Sequence, residues 1–247
     1  MMLYNFCRRF FVAAAAWPVT LFWTGYALHG KDRLPKEGPA IIIANHNSHL
    51  DTLTLLTFFP LTRIPAIKVA AAADYFFTNS VSRFICDRFM GLIPLTRQGG
   101  KVRDPLSPLA EALEKRLTVI LFPEGTRGNP DIMESIKPGL WHLARRFHNV
   151  PIHPVYLHGP GRSLPKGAWI PVPLFVDARV GEPFFFQANK QSFLNDVHAR
   201  FMALRAETLS GKSAMVYADD APAPATSIPD CSSGMSGLNL RYCLKSA

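Results

Sequence analysis

A chain of 247 residues is long enough for one substantial α/β domain and too short for two comfortable ones. Its 48% apolar content supports a real core, while a net charge of +9 and a pI near 9.6 suit anionic partners: phospholipid surfaces, phosphorylated substrates or nucleic acid. The lack of a long Lys/Arg tract or of zinc-finger spacing sets nucleic acid aside. The four cysteines, at 7, 86, 231 and 243, have no motif spacing and read as reduced thiols in a cytosol-facing protein.

No charged residue stands between Arg9 and His29, and Phe10 to Leu28 is apolar and aromatic, with Trp17, Phe22, Trp23 and Tyr26. As a helix this run would cover about 28 Å, close to the roughly 30 Å of a hydrocarbon core. Pro18 in its middle would kink or break such a helix. Arg8 and Arg9 precede the run and Lys31, Arg33 and Lys36 follow it, so loop charge gives no orientation. A bent hairpin dipping into one leaflet, with these cations against anionic headgroups, accounts for both the proline and the symmetry of charge. A single span and a cleaved signal peptide are the alternatives. The expectation is a membrane-anchoring helical segment over residues 1–37, with the rest of the protein at the cytosolic face of the inner or plasma membrane.

Ala40-Ile41-Ile42-Ile43-Ala44 reads as a buried parallel strand, being short, β-branched and preceded by Pro39. It delivers Asn45, His46, Ser48 and Asp51 at its C-terminal end, where open α/β sheets build their sites. Ser48 and Asp51 have the spacing of a capping box before the apolar positions Leu50, Leu53, Leu55 and Leu56. On one regular helix the side chains of His46 and Asp51 would point about 140° apart; a turn at Asn47-Ser48 lets them meet. A neutral imidazole backed by a carboxylate is a general base held in one tautomer. Two other readings remain open here: Asp51 as a cap with His46 an ordinary loop residue, and a metal site using His46, His49 and Asp51.

The chain keeps alternating after that strand. Ile64–Ala70, Gly91–Arg97, Thr118–Phe122, Val150–Leu157 and Val172–Val180 read as strands, with Pro94 confining its strand to a sheet edge. Asp74–Cys86, Asp104–Arg116, Ile136–Phe147 and Ser192–Leu209 have helical spacing. The pattern predicts an α/β domain over residues 38–210, a mixed, mostly parallel sheet flanked by helices. From about Gly211 the sequence is Ala/Pro/Ser-rich and aperiodic, which reads as a disordered tail over residues 211–247.

Pro123-Glu124-Gly125-Thr126-Arg127 follows the Thr118–Phe122 strand directly. Gly125 lets backbone approach a ligand closely, and Thr126 and Arg127 offer a hydroxyl and a bidentate cation, equipment suited to a phosphate. The rival is an ordinary turn with a Glu–Arg pair. Arg97 occupies a similar place after its own strand. Lys137 opens a helix, against the dipole, and either has a functional reason to be there or is a surface lysine. His153, within an apolar strand, reads as a core histidine.

Four blocks in order resemble the glycerolipid acyltransferases, in particular the 1-acylglycerol-3-phosphate acyltransferase group. They are Asn45-His46-x-x-x-x-Asp51, Gly91 through Arg97 (with Thr96 where the family often has an acid), Phe122-Pro123-Glu124-Gly125-Thr126-Arg127, and the apolar Val150–Val155 strand. The resemblance spans roughly residues 38–183. It implies that His46, oriented by Asp51, deprotonates the free hydroxyl of a lysophospholipid, which attacks acyl-CoA or acyl-carrier protein as co-substrate. It implies that Arg97, Glu124, Gly125, Thr126 and Arg127 line the acceptor-phosphate site, and Asn45, Ser48 and Lys137 complete the expected substrate-binding set. Neither a metal nor a redox cofactor is expected, because the thioester is already activated. The membrane bilayer is the expected third partner. Two rivals from other classes are a serine hydrolase, for which the chain lacks a Gly-x-Ser-x-Gly elbow, and a non-catalytic lipid-binding protein of the same fold.

Overall fold

Five consecutive apolar residues are stable in a strand only when both faces of the sheet are covered, and β2 (Ala40–Ala44) is buried at every position. The computed structural model describes residues 2–48, 50–72, 86–95, 104–125, 135–160 and 175–219. Around β2 run β1 (Tyr26–His29), β3 (Ile67–Ala72), β4 (Leu92–Leu95), β5 (Thr118–Leu121), β6 (Ile152–His158) and β7 (Val176–Val180). They form one sheet in the order β1-β7-β6-β2-β5-β3-β4. Strands β6, β2, β5, β3 and β4 are mutually parallel, β7 is antiparallel to β6, and β1 is parallel to β7. The expected mixed, mostly parallel sheet is therefore present.

Alternation along the strands feeds two cores. On one face Ile42, Ile120 and Val155 pack against Leu55 and Leu56 of α2 (Leu50–Thr57). On the other, Ile41, Ile43 and Val119 meet α3 (Ser107–Glu114), α4 (Gly139–Arg146) and α5 (Lys190–Asp219) through Leu109, Leu140 and Phe193. Each fully buried Ile or Phe contributes about 1.5–3 kcal/mol, and all five positions of the central strand are buried.

The N-terminal segment departs from expectation. Helix α1 (Met2–Phe11) continues through π-helical turns over Val12–Ala16 and Pro18–Thr24, and no helix among the described residues is long and apolar enough to cross a membrane. Gly25, at φ +69°, ends the helix, and the last part of the apolar run becomes β1, an edge strand paired with β7. The leaflet-dipping hairpin thus finds no support in the structure. Its apolar residues serve three purposes that composition cannot separate: Val12 and Ala16 in the core, Tyr26–Leu28 in the sheet, and an outward stripe on α1. The apolar run does not stand apart from the sheet, since Val12 and Ala16 share a core cluster with Ile42 and Val155. Nor does Arg8 rest on headgroups: it is fully buried, and its guanidinium donates to the carbonyls of Pro65 (3.2 Å), Ile67 (2.7 Å) and Met90 (3.3 Å). Gly91, at φ +66°, has no room for a side chain, since a Cβ there would overlap that guanidinium.

Smaller differences have local causes. Ile64–Ala66 is a 3₁₀ turn because Pro65 suits a first helical turn, so β3 starts at Ile67. Pro94 lies on the edge strand β4, as expected. Helix α5 runs to Asp219, ten residues past Leu209, because the first proline after it is Pro222 and Gly211 alone costs a helix only about 1 kcal/mol. Residues 74–85 of the expected second helix, 172–174 of the β7 segment and 220–247 of the tail lie outside the described residues. His153 is a core histidine: its Nδ1–H donates to the Arg33 carbonyl at 2.7 Å, and burial lowers its pKa from the ordinary 6.5.

Candidate active site

At the C-terminal end of β2 the ladder stops and side chains take over its hydrogen bonding. Asn45 Nδ2 donates to the Leu157 carbonyl at 2.9 Å, and Asn45 Oδ1 accepts the Leu157 N–H at 2.7 Å. The His46 N–H donates to Glu124 Oε1 at 2.9 Å. The chain then turns, and one oxygen, Asp51 Oδ2, accepts the N–H groups of Asn47 (2.7 Å) and Ser48 (2.8 Å) and faces His46 Nδ1 at 3.0 Å. Ser48 Oγ accepts the Leu50 N–H at 3.2 Å. Asp51 and Ser48 thus start α2 as a capping pair, with Asp51 reaching back as the sequence spacing predicts.

An oxygen that already receives two N–H donors can only accept from the imidazole. Nδ1 therefore carries a proton, and in the neutral ring Nε2 presents a lone pair. Asp51 is 1% exposed, so the carboxylate acts through a protein-like medium, while the His46 side chain keeps 17% of its surface open. The imidazole stacks on Phe122, ring centroids 4.1 Å apart and planes 23° from parallel, which fixes its second rotational freedom. Capping and orientation of the histidine, alternatives in the sequence, are performed together by the same carboxylate oxygen.

The structure brings Asn45, His46, Ser48, Asp51 and Glu124 together. Glu124 is buried at 1% exposure, and its Oε1 accepts the His46 N–H. Gly125 follows at φ +73°, and a Cβ there would stand 3.4 Å from Lys137 Cγ, so the exposed lysine lies over the loop; its N–H also ties to the Pro123 carbonyl at 2.8 Å. Asn45 and Ser48, expected at the substrate, give the polar atoms just described to backbone groups. His49, Arg97, Thr126 and Arg127 lie outside the described residues. Sequence reasoning passed over the Phe122 ring. The register places it there: β2 and β5 are adjacent and parallel, with Ile43 opposite Leu121, so Phe122 falls one step from Asn45, a pairing between distant segments that neither segment's own residues reveal.

The histidine–aspartate turn at the end of the central strand, beside a Pro-Glu-Gly loop, falls within a segment shared with one class of acyl-transfer proteins. The acyltransferase family model matches residues 26–158, more than half of the chain, and the chain belongs to that family. It is 29% identical over 180 residues to the chloroplastic 1-acyl-sn-glycerol-3-phosphate acyltransferase of Arabidopsis thaliana, covering 68% of this chain and 47% of that one. It is 25% identical to the 1-acyl-sn-glycerol-3-phosphate acyltransferase of Pseudomonas aeruginosa, covering 81% and 75%. The chain spans less than half the length of the plastid and animal relatives it matches. The crystal structure of the 1-acyl-sn-glycerophosphate acyltransferase from Thermotoga maritima shares the fold, with a TM-score of 0.61 at 24% identity over 82% of this chain and 79% of that one.

Proposed function

We propose that this protein moves a fatty acyl group from an acyl thioester, acyl-CoA or acyl-carrier protein, to the free hydroxyl of 1-acylglycerol-3-phosphate, giving phosphatidic acid. The observation that carries the reading is the His46–Asp51 pair, one imidazole nitrogen tied to a buried carboxylate and the other left with its lone pair. Nε2 takes the hydroxyl proton as the oxygen attacks the thioester carbonyl. The tetrahedral intermediate then expels the thiolate, which recovers the proton from the imidazolium, so the products are an ester and a free thiol. A positioned base contributes about 10²–10⁴-fold. The thioester is already activated, so the reaction as proposed needs no cofactor. Arg97, Thr126 and Arg127 are proposed to hold the acceptor phosphate with Gly125 and Lys137.

The acceptor is a bilayer lipid and the donor is soluble, so the reaction belongs at a membrane surface, proposed to be the cytosolic one. The outward side of α1 supports this: Phe6 and Phe10 are 64% and 59% exposed beside Met2 and Leu3, while Arg8 points inward. A helix with an exposed apolar stripe, Arg8 turned inward and Arg9 at the surface suits an interface. The test of function is transfer from labelled acyl-CoA to a panel of lyso-acceptors. Wild type should prefer 1-acylglycerol-3-phosphate, and His46→Ala should lose nearly all turnover. A His46→Ala protein with a tenth of wild-type turnover would remove the base assignment, and preference for another lyso-lipid would move the acceptor.

A further inference from the structure

The last β2–β6 pair is Ala44 with Val155, and the last β2–β5 pair is Ile43 with Leu121. Continuing both registers would set His46 opposite Leu157 on one side and Glu124 on the other. Those two residues are the ones that side-chain hydrogen bonds reach: Asn45 to both backbone groups of Leu157, and Glu124 to the His46 N–H. Asn45 is 3% exposed, Leu157 1% and Glu124 1%, so these bonds are made away from water, where a lost partner costs most. We infer that Asn45 and Glu124 are positioning residues that clamp the His46 peptide between β6 and the β5 exit, extending the ladder by one step on both sides. The inference rests on His46 being the base, and it takes Asn45 and this oxygen of Glu124 away from the substrate.

The clamp controls where Nε2 stands, and a misplacement of about 1 Å can cost 10²-fold in rate. Asn45→Ala should lower kcat about 10–100-fold in protein with a normal melting temperature, with the KM for 1-acylglycerol-3-phosphate within about twofold of wild type. Asn45→Asp keeps the acceptor for the Leu157 N–H but turns an oxygen toward the Leu157 carbonyl. It should fall in kcat in the same way, and it carries the test if the alanine variant does not fold. Glu124→Gln retains an oxygen for the His46 N–H and should keep much more kcat than Glu124→Ala. A rise in acceptor KM with kcat preserved in the Asn45 variants would overturn the inference and return Asn45 to the substrate. Unchanged kcat per folded molecule would reduce Asn45 to a structural part, and equal losses in Glu124→Gln and Glu124→Ala would remove Glu124 from the clamp. His46→Ala, run alongside, separates the two readings: activity there removes the base itself, whatever the Asn45 variants do.

Discussion

Replacing Asp51 by Asn isolates the charge behind His46 from the turn that the same residue caps. Asp51 Oδ2 receives the Asn47 and Ser48 N–H groups at 2.7 and 2.8 Å, and an Asn carbonyl in the same place can receive both. The opposite rotamer would set an NH₂ group against two N–H donors, so the carbonyl stays inward and the fold is kept. Alanine would leave two buried N–H groups unpaired, at about 1–3 kcal/mol each, and would confuse instability with catalysis. What Asn removes is the full charge 3.0 Å from Nδ1. Two unit charges 4 Å apart interact by about 4 kcal/mol at an effective dielectric constant near 20. Only part of that is realised as the imidazolium forms, so kcat should fall about 10²–10³-fold. The acceptor KM should stay within about threefold, because Asp51 is buried behind the histidine. Steady-state rates of thiol release from acyl-CoA, with circular dichroism to confirm folding, measure both. A variant that kept more than about a third of wild-type kcat would show that the carboxylate is only a cap.

Two further outcomes follow from other parts of the molecule. In the unfolded chain His153 takes a proton below its ordinary pKa of 6.5, whereas in the folded protein burial holds it neutral to lower pH, against the smaller raising effect of its bond to the Arg33 carbonyl. Stability from this site is therefore complete above about pH 7 and declines as pH falls through 6.5 toward the lowered folded value. His153→Asn keeps a donor near Nδ1 and should flatten that limb between pH 7.5 and 5.5 in urea titrations; an unchanged pH dependence would rule His153 out as its source. On α1, burying the exposed parts of Phe6 and Phe10 in a bilayer should contribute about 1 kcal/mol each, so Phe6→Asp with Phe10→Asp should weaken binding to phosphatidylglycerol-containing vesicles at least about 30-fold. Sedimentation with vesicles reads this directly, and equal binding by the double variant would place the membrane contact elsewhere.

The legible parts of the sequence were those where neighbours in the chain determine the outcome. Ala40–Ala44 and Thr118–Leu121 could only be doubly covered strands, and the turn that lets Asp51 reach His46 followed from helical geometry and the capping spacing. The illegible parts depended on distant partners. Tyr26–His29 shares its composition with a bilayer segment, and only β7, some 150 residues later, makes it a strand. Arg8 read as a surface cation because nothing local reveals the three carbonyls, from residues 65, 67 and 90, that surround it. Asn45 and Ser48 were recognised as important by their place in the motif, but motif position does not say whether a polar side chain faces the substrate or the backbone. The bonds described for Asn45 and Ser48 run to backbone groups.

The two halves of the site are built differently, and the difference bears on specificity. The His46 half hangs from the central strand, its atoms fixed by buried side chains and by the N–H groups at the start of α2, so it belongs to the part of the fold that opens least readily. Lys137, by contrast, is exposed; among the described residues it lies against Gly125, and its N–H donates to the Pro123 carbonyl. On the proposed mechanism, a change of headgroup preference can then arise at the exposed half without disturbing His46, whose imidazole is held by a buried carboxylate that also caps α2. On this reading the proton transfer belongs to the backbone-built half and the acceptor choice to the side chains set over the loop.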